Sequence, residues 1–341
     1  MSSKEEKRKR KRIRNIQNIL LYSILIIIGI GIGILFKTLY PTDVLNIYSQ
    51  TRSGGNEYIN PLIDFESVES TRIQTLVNLE DSLKEYIEDS TQYPEETNIS
   101  HISVYFKDLN SGAWIGIDEE EEFSPASLLK LPLMITSFKL AESDPTFLQN
   151  SIKYQKEESY VEQITLPEQP LIEGETYTLE ELISRLIVYS DNEALLMIEK
   201  LLPYEEVVKV YSDLGLKNPY EYGMEDNMTV KEYATFFRIL YNATYLNKDM
   251  STKALKLLSE TTYDRGISTG IPVDIKIADK FGEREYVDGL TYERKQLHDC
   301  GIIYYPQKPY LLCVMTKGRD FNSLQEVLQD ISKIVYKEVD K

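Results

Sequence analysis

Apolar positions along the chain change period as it proceeds. Ile73, Leu76, Val77, Leu83, Tyr86 and Ile87 recur at helical spacing and predict a helix. Ile102–Phe106 and Ala113–Ile117 read as two strands. Helical patterns dominate from 125 to 263, and Leu182–Tyr189 and Glu193–Ile198 read as two apolar helices separated by a short polar break. Ile275–Asp279 alternates like the start of a strand, two more strands follow near 297–316, and a last helix is expected over Ser323–Lys337. Strands at both ends with helices between predict an α+β fold. One antiparallel sheet is closed by the terminal helices, and a helical lobe is added to it.

The N-terminus has a different pattern. Ile19–Phe36 carries no charge, and roughly 18 apolar residues suffice to span a bilayer core as a helix. Eight basic and two acidic side chains precede it in residues 1–14, a net +6. By the positive-inside rule that head is cytoplasmic and the rest of the chain lies on the extracytoplasmic side of the cell membrane. A cleaved signal peptide is the rival reading, but Phe36–Pro41 offers no small-residue cleavage site. The expected organisation is a basic head at 1–14, a single transmembrane anchor at 15–38, a linker or stalk at 39–65 containing Arg52-Ser53-Gly54-Gly55-Asn56, and a domain at 66–341. That domain is long enough to bury a full core.

Charge sharpens this division. The formal total is −17, so everything after the basic head carries −23. A surface that acidic argues against nucleic-acid binding by the exported part.

The chemistry begins at Phe123–Met134. Ser124 is placed to cap a helix and Pro125 to fit its first turn. Ser127 would then lie where free backbone N–H groups favour developing negative charge. Lys130, three residues on, faces the same side among Leu128, Leu129, Leu131 and Leu133. Desolvation there lowers a lysine pKa and makes its neutral amine a candidate base for the Ser127 hydroxyl. Ser190-Asp191-Asn192 occupies the polar break between the two apolar helices, and Lys280-Phe281-Gly282 sits on the later strand. A glycine on that strand lets a substrate backbone approach closely.

S-x-x-K, then S-D-N, then K-x-G resembles the penicillin-recognising serine hydrolases, the class A β-lactamases and D,D-peptidases. The resemblance runs from about Gln74 to the C-terminus. It takes in the turn Asp108–Gly112, the segment Met228–Val230, and the last two strands at His298–Tyr305 and Pro309–Met315. It implies the β-lactamase/transpeptidase-like fold and acyl transfer through Ser127 as nucleophile, on β-lactams or on D-alanyl cell-wall peptides. Lys130 would be the base, Ser190 the proton relay, and Lys280 a cation that attracts an anionic substrate and depresses the Lys130 amine. Asn192 and Gly282 would hold the substrate, and the backbone N–H groups of Ser127 and Glu283 would form the oxyanion hole. Asp191 would shape its turn. No cofactor and no metal are implied.

Two departures from the family pattern stand out. Class A enzymes deacylate with a glutamate in an E-x-x-L-N loop. No such motif lies between Asn192 and Met228, and Glu221 and Glu225, near the right place, read as solvated loop carboxylates. Phe281 stands where the family carries a hydroxyl residue. Both departures point to slow β-lactam turnover and leave open a penicillin-binding sensor or cell-wall binding protein. His101 and His298 read as ordinary strand-end residues. An expected pairing of Tyr305 with Tyr310 sets Cys300 and Cys313 diagonal to each other, as buried free thiols, with a disulfide requiring a different register.

Overall fold

Residues 22, 47–52, 54–68, 74–156, 163–221, 226–288 and 292–341 are described by a computed structural model. The expected basic head and transmembrane anchor lie outside these residues, Tyr22 excepted. Among the described residues no helix is long and apolar enough to cross a membrane. Residues 45–341 form one unit.

Its centre is a five-stranded antiparallel sheet. The strands are β3 (Ile99–Asp108), β4 (Trp114–Ile117), β9 (Ile277–Asp288), β10 (Tyr292–Ile303) and β11 (Tyr310–Gly318), in the order β4-β3-β11-β10-β9. Short strands complete the count: β1 (Ile47–Arg52), β2 (Leu62–Val68), β5 (Glu122–Phe123), β6 (Ser151–Lys153), β7 (Thr176–Thr178) and β8 (Met228–Thr229). Each face of the sheet is covered, as the alternating buried positions along its strands require. Helices α1 (Gln74–Thr91) and α9 (Phe321–Val339) pack on one face, which we call the back. Leu76, Leu79, Leu83 and Ile87 of α1 and Leu324, Leu328, Ile331 and Val335 of α9 form their buried stripes.

The other face carries the helical lobe: α3 (Lys130–Ser143), α4 (Leu179–Val188), α5 (Asn192–Glu199), α6 (Tyr204–Asp213), α7 (Val230–Asn242) and α8 (Lys248–Leu258), the short α2 (Pro94–Thr97) lying before β3. Thr178 and Thr229 open α4 and α7 with reciprocal capping boxes to Glu181 and Glu232.

β1 and β2, which take in part of the expected linker, form an antiparallel hairpin. Arg52 donates to the carbonyls of Asn60 and Leu109 and to Asn242 Oδ1 (3.0 Å), and Ile59 is buried in the core. The pairing of β10 with β11 is one residue pair away from the expected one. Ile303, not Tyr305, faces Tyr310, so Cys300 and Cys313 stand directly opposite and are disulfide-bonded. The turn at Tyr304–Pro309 is wider than the tyrosine pairing assumed, which converts the diagonal into a direct cross-strand pair.

The back face also buries two carboxyl groups. Asp299 pairs in register with Phe281, and Asp279 precedes Phe281 by two residues, so all three share that face. Asp299 Oδ2 accepts from the Ile267 backbone N–H at 2.9 Å. Gly266 permits this approach, since a Cβ there would lie 1.9 Å from Asp299 Oδ2. Burial pushes the Asp299 carboxyl up to about 6, and burial with the Asp299 charge raises Asp279 well above the carboxylate range.

A carboxyl group raised in the fold is stabilising when protonated, so its contribution is full at acid pH and is lost as pH rises through the folded value. The stability of the wild type is therefore expected to fall as pH rises through about 6. Asp299→Asn, which removes the titrating carboxyl and keeps an acceptor for the Ile267 N–H, flattens that fall. Urea midpoints across the pH range check this, and parallel profiles would refute it.

Candidate active site

The nucleophile motif folds as a single 3₁₀ turn, Ala126–Leu129, running directly into α3 at Lys130. Ser124 does not cap it: the turn has no side-chain cap, and the Ser124 hydroxyl is buried without a partner. The Ser124 backbone is instead gripped from the sheet. Its N–H donates to Gln296 Oε1 (3.0 Å), and its carbonyl accepts from His298 Nε2 (2.9 Å). Thr316 N–H donates to His298 Nδ1, which leaves the ring proton on Nε2. Burial lowers the His298 pKa to about 4, so the ring is neutral at physiological pH. His298 is thus a fully buried mid-strand residue that positions the nucleophile turn, and not a strand-end residue. His101, inside β3, is exposed.

Two residues of the site hold left-handed backbone without being glycine: Ala126, at φ 48°, and Ser190, at φ 53°. Such a conformation costs about 1–2 kcal/mol per residue and is characteristic of sites where geometry is imposed by the surroundings. At Ser190 it turns both the carbonyl and the hydroxyl towards Lys130. Asp191 then caps α5, accepting from Glu193 N–H (2.8 Å) and Ala194 N–H (3.3 Å), which fixes Asn192 at the helix start.

Lys130 is 1% exposed and Lys280 fully buried. Lys130 Nζ lies 3.0 Å from Ser127 Oγ, 2.5 Å from the Ser190 carbonyl, 3.0 Å from Ser190 Oγ and 2.6 Å from Asn192 Oδ1. The Ser190 carbonyl and Asn192 Oδ1 can only accept. A neutral amine has two N–H groups and one lone pair. The two pure acceptors take the N–H groups, and the lone pair is left for a serine hydroxyl. Burial, then repulsion from Lys280, drives the Lys130 pKa well below its ordinary value.

Lys280 Nζ donates to Ser190 Oγ (2.9 Å) and to the Phe281 carbonyl (2.9 Å). Burial lowers its pKa to about 8, against the pull of Asp279, Asp299 and Glu283. The Ser190 hydroxyl therefore sits between the two amines.

Gly282 lies against the nucleophile turn. A Cβ there would come within 2.9 Å of Leu128 Cγ, 3.1 Å of the Pro125 carbonyl and 3.2 Å of Leu128 N. Phe281 is 2% exposed, belongs to the back-face core and stacks on Tyr263 with centroids 3.9 Å apart. It lines the site from beneath Lys280 and does not fill the cleft.

The pattern of the β-lactamase enzyme family matches residues 78–339. The chain belongs to the β-lactamase enzyme family. A mutant of PBP-A, solved as an acyl-enzyme complex with penicillin G, is 22% identical with a TM-score of 0.62, covering 78% of this chain and 97% of that one. A class A β-lactamase from Mycobacterium abscessus is 22% identical with a TM-score of 0.61, covering 77% and 100% respectively. The TLA-1 extended-spectrum β-lactamase is 17% identical with a TM-score of 0.65, covering 78% and 99%. At these identities the structures establish the shared fold.

Of the two loop carboxylates near the place of the family's deacylating glutamate, Glu221 is exposed and accepts from Asn218 Nδ2 (3.4 Å), and Glu225 lies outside the described residues. Among the described residues, Lys130 Nζ bonds Ser127, Ser190 and Asn192. Motif spacing did not reveal three contributors: His298, and Gln163 and Thr165 of the segment before β7. Gln163 Nε2 donates to the Ser190 carbonyl at 3.2 Å, and Thr165 bonds the Glu283 side chain.

Gly282→Ala is expected to slow labelling of Ser127 by a serine-directed fluorophosphonate by about tenfold or more, since overpacking of this kind costs about 1–3 kcal/mol. Unchanged far-ultraviolet circular dichroism would show that the fold persists. Labelling at the wild-type rate would mean that the contact of β9 with the nucleophile turn is dispensable.

Proposed function

We propose that this protein is a membrane-anchored serine hydrolase that transfers the acyl group of a β-lactam or D-alanyl cell-wall peptide to Ser127. The observation that carries the reading is the placement of Ser127 Oγ 3.0 Å from Nζ of a buried lysine, Lys130, whose pKa burial drives well below its ordinary value. Ser127 Oγ attacks the carbonyl carbon while its proton passes to Lys130 Nζ. The new O–C bond forms, the C–N bond breaks, and the proton reaches the leaving nitrogen through Ser190 Oγ. Ser190 is suited to this relay because Lys280 donates to its oxygen, leaving its own hydrogen to pass on. The backbone N–H groups of Ser127 and Glu283 form the oxyanion hole, each such donor being worth about 3 kcal/mol in the transition state. Gly282 lets the substrate backbone lie along β9, and Asn192, which holds Lys130, borders the acyl side.

The missing E-x-x-L-N motif between Asn192 and Met228 favours a long-lived acyl-enzyme. A penicillin-binding sensor with little turnover is the second reading for that reason. The N-terminal basic head and apolar run support anchoring, with the catalytic domain on the extracytoplasmic side.

Intact mass after incubation with penicillin G is expected to show one adduct on the wild type and none on Ser127→Ala. An adduct on Ser127→Ala, or none on the wild type, would contradict the reading. The rate of adduct formation is expected to be bell-shaped in pH. It falls at the acid end as Lys130 gains a proton and stops acting as a base. It falls at the alkaline end, as pH rises through about 8, because Lys280 loses the charge that attracts the penicillin carboxylate. Stopped acylation time courses across pH check this. A rate flat through the alkaline limb would remove Lys280 from that role.

A further inference from the structure

The segment Gln163–Thr165 bridges the site. At one end the Gln163 side chain makes two bonds to the wall that carries Ser190: Nε2 donates to the Ser190 carbonyl (3.2 Å), and Oε1 accepts from Asn192 N–H (2.9 Å). At the other end Glu283, on the strand edge beside the nucleophile turn, holds Thr165 twice. Its Oε1 accepts from Thr165 N–H at 2.6 Å and its Oε2 from Thr165 Oγ1 at 3.0 Å. Arg265 Nη2 donates to the same Thr165 Oγ1 at 3.3 Å, so a cation borders the latch. Gln163 Nε2 also donates to the Thr165 carbonyl (2.7 Å), tying the two ends together.

The side chains alternate. Gln163 and Thr165 make the inward bonds, while Ile164 and Leu166 are 41% and 69% exposed. A surface segment normally turns its polar residues outward. This one spends its polar groups on the two walls between which an acyl donor must lie. Bonds to an ionised carboxylate are the stronger kind, so the Glu283 end is the firm one.

We propose that Glu283 is a specificity-determining residue whose side chain latches Gln163–Thr165 across the cleft, so that the site discriminates against acyl donors with a bulky group on the acyl side. The inference rests on the acyl-transfer reading above and adds the size of the group the site accepts. Asn192 and the β9 edge, which flank the acyl side in that reading, are the two walls the strap joins. A donor with a large acyl substituent has to displace Thr165 from Glu283, and a small one does not.

The test uses two donors with the same bicyclic core and carboxylate: penicillin G, with its phenylacetyl group, and 6-aminopenicillanic acid, which lacks it. The rate of Ser127 acylation is followed by intact mass in the full chain. Glu283→Ala is expected to raise the penicillin G rate relative to that of 6-aminopenicillanic acid by about tenfold, the scale of one hydrogen bond to a charged group. Glu283→Gln, which keeps one acceptor, falls between wild type and Glu283→Ala. Thr165→Val, which removes only the hydroxyl, shifts the ratio in the same direction by less. An unchanged ratio in Glu283→Ala overturns the proposal. So does an equal loss of rate with both donors, which would make Glu283 a purely structural residue. Failure of either donor to label Ser127 in the wild type and in every variant defeats the acyl-transfer reading itself, and the proposal with it.

Discussion

Two lysine side chains are buried against one serine hydroxyl, and much of the molecule is arranged around the cost of that placement. An isolated buried ammonium is prohibitive unless it is paired, bonded or neutralised. The site uses all three. Lys130 is bonded to the Ser190 carbonyl and Asn192 Oδ1, and burial drives its pKa well below the ordinary lysine value, towards the neutral amine. Lys280 keeps its charge and has two acidic groups behind it, on the back of the sheet. Burial raises both, Asp299 to about 6 and Asp279 well above the ordinary carboxylate range, and both act on Lys280 through the sheet.

That arrangement explains features which otherwise look unrelated. Gly266 is needed because a Cβ there would collide with the Asp299 carboxyl, and Gly301 because one there would collide with Asp279 Cβ and the Ala278 carbonyl. The left-handed backbone of Ser190 is tolerated because its carbonyl and hydroxyl between them bond both amines and the Gln163 side chain. His298 is neutral and buried on the lobe-facing side of the sheet, so it anchors the Ser124 carbonyl without adding charge. The sheet thus supplies the counter-charge from one face and positions the nucleophile turn from the other.

Much of this was legible in the sequence, for physical reasons that also explain what was not. Ser127, Lys130, Ser190, Asn192, Lys280 and Gly282 lie on elements whose period, caps and breaks are local properties of the chain, and the structure brings all six together. Asp191 was expected to shape a turn and does so as the cap of α5. The failures concern long-range register and partner choice. The Cys300–Cys313 pairing depended on the width of one turn, and an error of one residue pair separates a diagonal from a direct bridge. The burial of His298 and the role of Gln163 depend on groups more than twenty residues away, which spacing does not encode. The bulk of Phe281 was apparent from the sequence, but its stacking on Tyr263 beneath the site was not.

This chemistry requires Lys130 to be a neutral amine at physiological pH while Lys280, beside it, is charged. The most direct test is nuclear magnetic resonance of the chain carrying ¹³Cε,¹⁵Nζ-lysine, with the two signals assigned by single substitution. A Lys130 resonance in the neutral-amine position throughout the neutral range is expected, with a Lys280 resonance that titrates near 8. A Lys130 signal that stays in the ammonium position until strongly alkaline pH would contradict it.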